Sequence, residues 1–125
     1  MALISPRITH EIIGCAVEVH RVLGPGLLES AYEECLAHEF DLVELPYDRQ
    51  FQLPLAYKGR RLDCGYRVDF LVRDEVIVEL KAVANMSAVY EAQLLTYMKL
   101  AGVRIGLLVN FNEGRLVDGV RRFVL

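Results

Sequence analysis

Three residues that could bind and use a metal ion, Asp69, Glu79 and Lys81, lie on two short segments of alternating polarity. Asp69 shares its parity with Arg67 and Leu71, and Glu79 shares its parity with Lys81. Because successive side chains of a β-strand point to opposite faces, each segment has one wholly apolar face and one face that carries a carboxylate. Divalent cations such as Mg²⁺ are commonly held by one or two carboxylates. The residue types therefore suggest a metal site.

The two segments are expected to pair as an antiparallel hairpin whose register is set by burial. A slip of one residue would expose one of the two apolar faces to water. The register that buries both places Val72 opposite Val76 and Asp69 opposite Glu79, with residues 73–75 as the loop. This arrangement requires an odd loop or a bulge. The apolar faces predicted to be buried together are Val68, Phe70 and Val72 in the first strand and Val76, Val78 and Leu80 in the second.

The facing carboxylates have two interpretations. Like charges directly opposite each other on a sheet are destabilising, so a cation is expected between or beside them. In the structural interpretation, Lys81 forms an ordinary cross-strand salt bridge on a solvated face. In the functional interpretation, a divalent metal ion lies between Asp69 and Glu79. The Asp-x9-Glu-x-Lys spacing alone leaves both open.

Three helices are predicted around these strands. Ser5-Pro6 is typical of a helix start, and residues 24–26 (Gly-Pro-Gly) end that helix. A second helix is predicted over residues 27–40, with Glu29 in its first turn, where a carboxylate can simply be a partner of the helix dipole. Ser87 can cap a third helix that runs to Leu100 and is closed by Gly102.

The remaining elements predict an α/β fold made of one domain over residues 1–125. Strands are expected at 51–57, 62–72, 76–82 and 103–111, and a last strand ends at Leu125. The order strand, helix, strand across residues 76–111 requires a right-handed parallel crossover. Two N-terminal helices, a β-meander, a βαβ crossover and a final strand therefore form a mixed β-sheet flanked by helices.

The composition excludes some classes of protein but does not identify a binding partner. The net charge of −3 argues against a generic nucleic-acid coat protein but not against an enzyme that concentrates carboxylates at a metal. Three cysteines with no C-x-x-C pair predict reduced thiols and a cytoplasmic location, and neither a membrane span nor a secretory signal is expected. Hydrophobic residues make up 54% of the chain, so a second copy or a protein partner is a candidate cover for apolar surface. The local basic groups, Lys58, Arg60 and Arg61 and then Arg121 and Arg122, fit either solvated loop charges or a phosphate track.

Several motifs spread along the chain resemble the GxxExxY proteins of the PD-(D/E)XK nuclease superfamily. Residues 26–32 match the G-x-x-E-x-x-Y signature, and the approach to it, 19–26, also fits. Further matches are the Tyr-Lys-Gly turn at 57–59, Val-Glu-Leu-Lys at 78–81, residues 91–97 and the strand 106–111. The resemblance implies a restriction-endonuclease-like core. One departure is Val68, which stands where the name of the superfamily has a proline.

The resemblance also implies roles for individual residues. Asp69 and Glu79 would bind Mg²⁺ or Mn²⁺, with the backbone carbonyl of Leu80 and with Glu29 as a third acidic ligand. Lys81 would orient a water or stabilise charge on a phosphate. Gln93 and Tyr97 fit a helix motif of the recombination-nuclease branch; one turn apart, they share a helix face, although a polar pair at a helix–sheet boundary would look the same. His20 either faces this cleft or is simply packed.

Two functions follow as expectations. The first is a metal-dependent nuclease that hydrolyses phosphodiester bonds, with DNA favoured over RNA as the substrate. The second is a nuclease-fold binding or assembly module with weak or no catalytic activity, which the acidic character and the lack of a visible DNA-reading domain favour. The chain has no G-x-S-x-G elbow, P-loop or zinc-ligand spacing, which excludes serine hydrolase, NTPase and zinc-enzyme interpretations.

Overall fold

The computed structural model describes residues 6–125, and the predicted Ser5 cap lies outside them. The helices and strands follow one another in an order close to the predicted one. The elements are α1 (Pro6–Leu23), α2 (Glu29–Leu42), β1 (Tyr47–Gln52), β2 (Leu55–Tyr57), β3 (Arg60–Leu62), β4 (Arg67–Val72), β5 (Val76–Lys81), α3 (Ala88–Ala101), β6 (Ile105–Asn110), a 3-10 turn (Leu116–Gly119) and β7 (Val120–Val124).

Five strands form one mixed sheet in the order β1-β4-β5-β6-β7. β5 and β6 run parallel and are joined by α3, whereas the other neighbouring pairs are antiparallel. β2 and β3 form a separate two-stranded sheet. The predicted α/β architecture, with a mixed sheet flanked by helices and one parallel crossover, is confirmed.

The sheet separates two apolar cores. One core joins the sheet to α1 and α2 and contains Phe70, Val78 and Leu80 together with Phe40 of α2. The other joins the sheet to α3 and contains Leu71 and Ile77 together with helix residues such as Leu94 and Met98. Both faces of β4 and β5 are therefore covered, as expected for central strands of such a sheet.

The β4–β5 hairpin has the predicted register. Val72 lies opposite Val76 and Phe70 lies opposite Val78. Arg73 and Asp74 adopt φ angles of 52° and 56°, and the Glu75 N–H donates to the Val72 carbonyl. Positive φ at both central residues is the geometry of a type I′ turn. Val72 accepts a hydrogen bond from Glu75 but is paired with Val76, so Glu75 is the extra residue of a bulge.

The single strands predicted at 51–57 and 62–72 are wrong in extent. The first is divided between β1 and β2 at residues 53–54. The Leu53 N–H still donates to the Tyr66 carbonyl, but Pro54 has no N–H with which to continue the ladder. The second is divided at residues 63–66, where Gly65 has a φ of 71°. The segment between β1 and β4 is therefore a small hairpin rather than an extension of the main sheet.

The position of α3 follows from its ends and from one glycine. The Ser87 hydroxyl accepts a hydrogen bond from the Val89 N–H, and Gly102 ends the helix with a φ of 70°, so both predicted caps are confirmed. A Cβ at Gly106 of β6 would lie 2.6 Å from the Met98 sulfur. A larger residue here would force the Met98 side chain to shift, so the glycine allows α3 to pack on β6 with Met98 in this position.

Candidate active site

The backbone ladder between β4 and β5 ends where the carboxylates begin. Beyond the Phe70–Val78 pair, the Asp69 N–H donates to Glu79 Oε1 at 2.7 Å. In return, the Leu80 N–H donates to Asp69 Oδ2 at 2.8 Å. Each carboxylate therefore takes the place of a backbone carbonyl, and the structure brings Asp69 and Glu79 together between the two strands.

One part of the predicted alternation is wrong, because the backbone is distorted at Asp69. Phe70, Val78 and Leu80 pack in the core of α1 and α2 as predicted, but Val68 packs in the core of α3. β1 lies on the other side of β4, and its residues Arg49 and Phe51 are paired with β4. Gln50 lies between them and has a φ of 53°. Strict alternation assumes regular extended backbone, and the break at this point moves Val68 to the opposite core.

Burial and nearby negative charges disfavour the ionised form of both carboxylates. Glu79 is 8% exposed, and burial, followed by the charge of Asp69, raises its pKa to about 8. The charge of Lys81 acts in the opposite direction. Burial also raises the pKa of Asp69, although the hydrogen bond from Leu80 opposes this shift. Adjacent carboxylates with raised pKa values are a feature of functional sites.

A polar network connects Asp69 to α2, and this network was not predicted. The Gln50 amide donates to Asp69 Oδ1 at 3.3 Å and to Glu33 Oε1 at 2.6 Å. Arg49 donates to Glu33 Oε2 at 2.6 Å and to Glu34 at 2.7 Å. The spacing of Glu29 and Glu33 on one helix face could have indicated Glu33. Nothing in the sequence singled out Gln50, because its role depends on a left-handed backbone conformation.

The first turn of α2 is held in place by Tyr32. Its hydroxyl donates to the Gly24 carbonyl at 2.6 Å and accepts from the Leu27 N–H at 3.1 Å, and its ring stacks on Phe111. These contacts fasten the glycine-containing turn, where Gly24 has a φ of 68°, to the helix that follows. Glu29 is exposed at the start of that helix, and its charge contributes to raising the pKa values of Asp69 and Glu79.

Lys81 does not form the salt bridge of the structural interpretation. Among residues 6–125, no ion pair within 4.0 Å joins it to Asp69 or Glu79. Its ammonium group instead lies 4.4 Å from the centroid of the Tyr90 ring on α3, a cation–π distance. Lys81 therefore remains a cation near the carboxylates without neutralising either of them by direct contact.

Tyr97 connects α3 to the same region. It is 8% exposed, and burial, followed by the charge of Glu79, raises its pKa. Gln93 lies close enough to the hydroxyl to favour its ionised form. The Tyr66 ring, from the segment after β3, lies 6.1 Å from the Tyr97 ring. The structure therefore places Tyr97 within electrostatic range of Glu79, while Gln93 is more exposed.

Of the two alternatives for His20, the structure shows the packed side chain rather than one that faces the cleft. Its Nε2 lies 2.8 Å from the Glu113 carbonyl, and its ring is next to Phe111. Of the predicted basic groups, Arg121 contacts Glu91 at 3.5 Å, which is a surface ion pair. Neither residue is part of the carboxylate cluster.

The family comparison now decides the class of this protein. The family model of the PD-(D/E)XK nuclease superfamily matches residues 6–123. The chain belongs to this superfamily. Its five-stranded mixed sheet with flanking helices agrees with the restriction-endonuclease-like fold of the superfamily. No curated protein and no solved structure was found to match the chain significantly. Among the described helices, none is both long and apolar enough for a membrane crossing.

PD-(D/E)XK nucleases generally use divalent metals, and the donor atoms of this site fit such an ion. Asp69 and Glu79 offer hard oxygen ligands, and a cation would relieve the repulsion between them. The Leu80 N–H points towards β4, and an extended residue directs its carbonyl to the same side. However, within residues 6–125 no group of three or more His, Cys, Asp or Glu side chains is arranged to hold a metal ion. Glu29 is thus outside the two-carboxylate cluster.

Proposed function

We propose that this protein is a metal-dependent nuclease of the GxxExxY type that hydrolyses phosphodiester bonds, with DNA favoured over RNA. The observation that carries the proposal is the carboxylate pair formed by the buried Glu79 and the half-buried Asp69, which interrupts the β4–β5 ladder and accepts backbone hydrogen bonds. A fold needs no such interruption in a central strand pair. A cation site explains why two adjacent acids are held largely away from water, whereas a contribution to stability does not.

Each residue has a distinct role in this proposal. Asp69 and Glu79 hold Mg²⁺ or Mn²⁺ with the Leu80 carbonyl, and Glu29 joins as a further acidic ligand through water. When bound, the ion supplies Lewis-acid polarisation of a phosphate oxygen and acidifies a water. Lys81 stabilises negative charge that develops on the phosphate.

Side chains of α3 complete the site. Tyr97, close to Glu79 in the structure, contacts the phosphate or the sugar of the substrate, and Gln93 orients Tyr97. The three free cysteines, Cys15, Cys35 and Cys64, support a cytoplasmic location as part of the proposal.

The alternative is a nuclease-fold module that binds a partner with weak or no catalytic activity. One observation favours it: in the described part of the chain, no third acidic side chain is grouped with Asp69 and Glu79 so as to hold a metal ion directly. A site with two carboxylates binds a divalent ion less tightly than one with three, because ligand charge sets much of the affinity. The two functions differ in whether the chain turns over a phosphodiester substrate.

The deciding experiment is cleavage of varied DNA and RNA substrates in Mg²⁺, in Mn²⁺ and in EDTA. We expect cleavage that requires the metal and that falls at least about a hundredfold in Asp69→Ala, the size of effect seen when one charge-stabilising group is removed. Asp74→Ala is the matched control, since Asp74 lies exposed in the loop at the other end of the hairpin. No cleavage by the wild type, or equal cleavage by Asp69→Ala, would favour the module.

A further inference from the structure

The β2–β3 hairpin carries a concentrated positive charge that the metal site does not use. Lys58, Arg60 and Arg61 are all exposed on it. Among residues 6–125, the arginines in ion pairs are others: Arg7, Arg21, Arg49 and Arg121. The whole chain has a net charge of −3, so three neighbouring cations without an acidic partner stand out. Such a patch is suited to a polyanion.

The hairpin also presents aromatic surface next to these cations. Tyr57 is 63% exposed beside the turn and lies opposite Arg60 in the two-stranded sheet. Tyr66, in the segment that returns from the hairpin to β4, is 44% exposed. Exposed aromatic rings interleaved with cations are the combination that binds unpaired nucleotides, because every base has a π-face that can stack.

A groove of about 430 Å³ lies between this hairpin and α3. Leu55, Tyr66, Tyr97, Gln93, Val89 and Leu100 are among its lining residues. Its walls are mainly apolar, and Val89 is 70% exposed. The volume is in the range of small-molecule sites, and the apolar and aromatic walls fit a flat ring system such as one nucleobase.

Tyr97 links the groove to the carboxylate pair. Tyr97 forms part of its wall, and the charges of Glu79 and Asp69 both act on the Tyr97 hydroxyl. Gln93, which borders the groove, lies next to the same hydroxyl. A base held against Tyr66 would therefore have its sugar and phosphate near the metal site, with the neighbouring phosphates near the hairpin cations.

We infer that the substrate is single-stranded nucleic acid, held by its phosphates on Lys58, Arg60 and Arg61 and by one unstacked base in the groove beside Tyr66. The placing of a phosphodiester at Asp69 and Glu79 rests on the proposed nuclease function; the binding itself does not. A duplex keeps its bases paired and stacked, so it can reach the hairpin cations but cannot fill the groove. Charge alone would bind both forms, and the groove selects the single strand.

The first test measures binding in EDTA, where no cleavage occurs. Single-stranded DNA and RNA oligonucleotides and the corresponding duplexes are titrated by fluorescence anisotropy at several salt concentrations. Arg60→Ala/Arg61→Ala is compared with Arg115→Ala/Arg122→Ala, which removes the same charge from exposed positions elsewhere. We expect tighter binding of single strands. The slope of log affinity against log salt should fall by about 1.4 in the hairpin variant, roughly 0.7 for each lost phosphate contact, and should stay unchanged in the control.

The second test asks whether a base enters the groove. An oligonucleotide containing 2-aminopurine reports stacking through the loss of its fluorescence. We expect Tyr66→Ala to abolish this quenching and to weaken single-strand binding by about 5- to 150-fold, the range for removal of a stacking aromatic ring. Tyr66→Phe, which keeps the ring, should retain both. Thermal melts of each variant check that the fold is intact.

The outcomes separate this inference from the nuclease proposal. Equal affinity for single strands and duplexes, an unchanged salt slope in the hairpin variant, or full quenching in Tyr66→Ala would each overturn the single-strand inference. Binding of single strands in EDTA without cleavage in any metal would support the inference and remove the nuclease. Cleavage confined to duplexes would support the nuclease proposal and overturn the single-strand inference.

Discussion

The two ends of the β4–β5 hairpin belong to the same two strands but are hydrogen-bonded in different ways. At the turn end, Phe70 and Val72 pair with Val78 and Val76 in a regular ladder, and the side chains are fully buried. At the other end, the carboxylates of Asp69 and Glu79 replace the backbone partners. Asp69 and Glu79 lie one position beyond the last paired residues, Phe70 and Val78. The comparison shows that the apolar end fixes where the acids lie, while the acids locally disturb the sheet that carries them.

This division predicts that the apolar end supplies stability and the acidic end reduces it. At the apolar end, burial of side chains drives folding in proportion to the area removed from water. At the acidic end, two groups that prefer to be ionised in water are held where ionisation is disfavoured. Substitutions at the two ends should therefore change the free energy of unfolding in opposite directions.

The largest effect is expected from Phe70→Ala. Phe70 is fully buried and meets the rings of Phe40 and Tyr47 edge-on, at 5.2 and 5.6 Å. Replacing a buried phenylalanine by alanine costs about 3–5 kcal/mol through lost transfer energy and the cavity left behind. Urea unfolding measures the loss. Glu75→Ala, in the exposed turn, should stay within about 0.5 kcal/mol of the wild type. A loss below about 1 kcal/mol for Phe70→Ala would refute the assignment of stability to this end.

The next effect is the pH dependence that Glu79 imposes. Because its pKa is raised from 4.5 to about 8, the folded protein holds a proton that the unfolded chain has lost between these values. Unfolding without metal should therefore become easier as the pH rises from 4.5 to 8, by about 1.4 kcal/mol for each pKa unit of the shift. Glu79→Gln keeps an oxygen that accepts from the Asp69 N–H and removes the titration.

Urea unfolding in EDTA at pH 5 and pH 8 checks this sign. Glu79→Gln should be less dependent on pH than the wild type, and it should be the more stable of the two at pH 8. Glu75→Gln, an exposed acid at the turn end, should follow the wild type at both values. A wild type that is as stable at pH 8 as Glu79→Gln would show that the carboxylate pair is not under electrostatic strain.

The contrast between the two ends also marks how far the sequence could predict this molecule. The apolar alternation of residues 70–80 was sufficient to predict the register, because only one pairing buries both faces. The caps of α3 were predictable from Ser87 and Gly102, whose local chemistry does not depend on the rest of the fold. The close contact of Asp69 and Glu79 followed from the same register.

The rest depended on irregular backbone, which alternation cannot reveal. Val68 changes core because the chain is distorted at Asp69, and Gln50 reaches Asp69 only through a positive φ. The separate β2–β3 hairpin arises because Pro54 interrupts what looked like one alternating strand. The partner of Lys81 was also not predictable, since Tyr90 is brought to it by the packing of α3.

A smaller effect is expected from the metal itself. If Asp69 and Glu79 bind a divalent ion, Mg²⁺ at tenfold over its dissociation constant should stabilise the wild type by about 1.4 kcal/mol. Asp69→Asn should gain much less. In EDTA it should be at least as stable as the wild type, because a repulsion has been removed while an oxygen remains for the Leu80 N–H.

Thermal melts at matched ionic strength measure both quantities for the wild type and Asp69→Asn. Asp74→Asn, at the turn end, is the control and should respond to Mg²⁺ as the wild type does. An Asp69→Asn variant that is less stable in EDTA, together with a wild type that does not respond to Mg²⁺, would make Asp69 a structural residue.

The smallest effect is expected from Gln50→Asn, which tests the polar network beside the acids. Asparagine tolerates the left-handed conformation that Gln50 adopts at a φ of 53°, so the backbone should be retained. Its amide is one methylene shorter and no longer reaches Asp69 Oδ1 or Glu33 Oε1.

The lost hydrogen bond favoured the ionised form of Asp69, so the pKa of Asp69 should rise further. A proton and a metal ion compete for the same carboxylate oxygens, so the affinity for Mg²⁺ should fall, by no more than roughly 12-fold, the equivalent of one hydrogen bond of about 0.5–1.5 kcal/mol, and the loss should be smaller at higher pH. Titration of the melting temperature with Mg²⁺ at pH 7 and pH 9 measures this, with the exposed Gln52→Asn on the same strand as the control. An unchanged affinity at both pH values would mean that Gln50 braces β1 against α2 and has no part in setting the charge of Asp69.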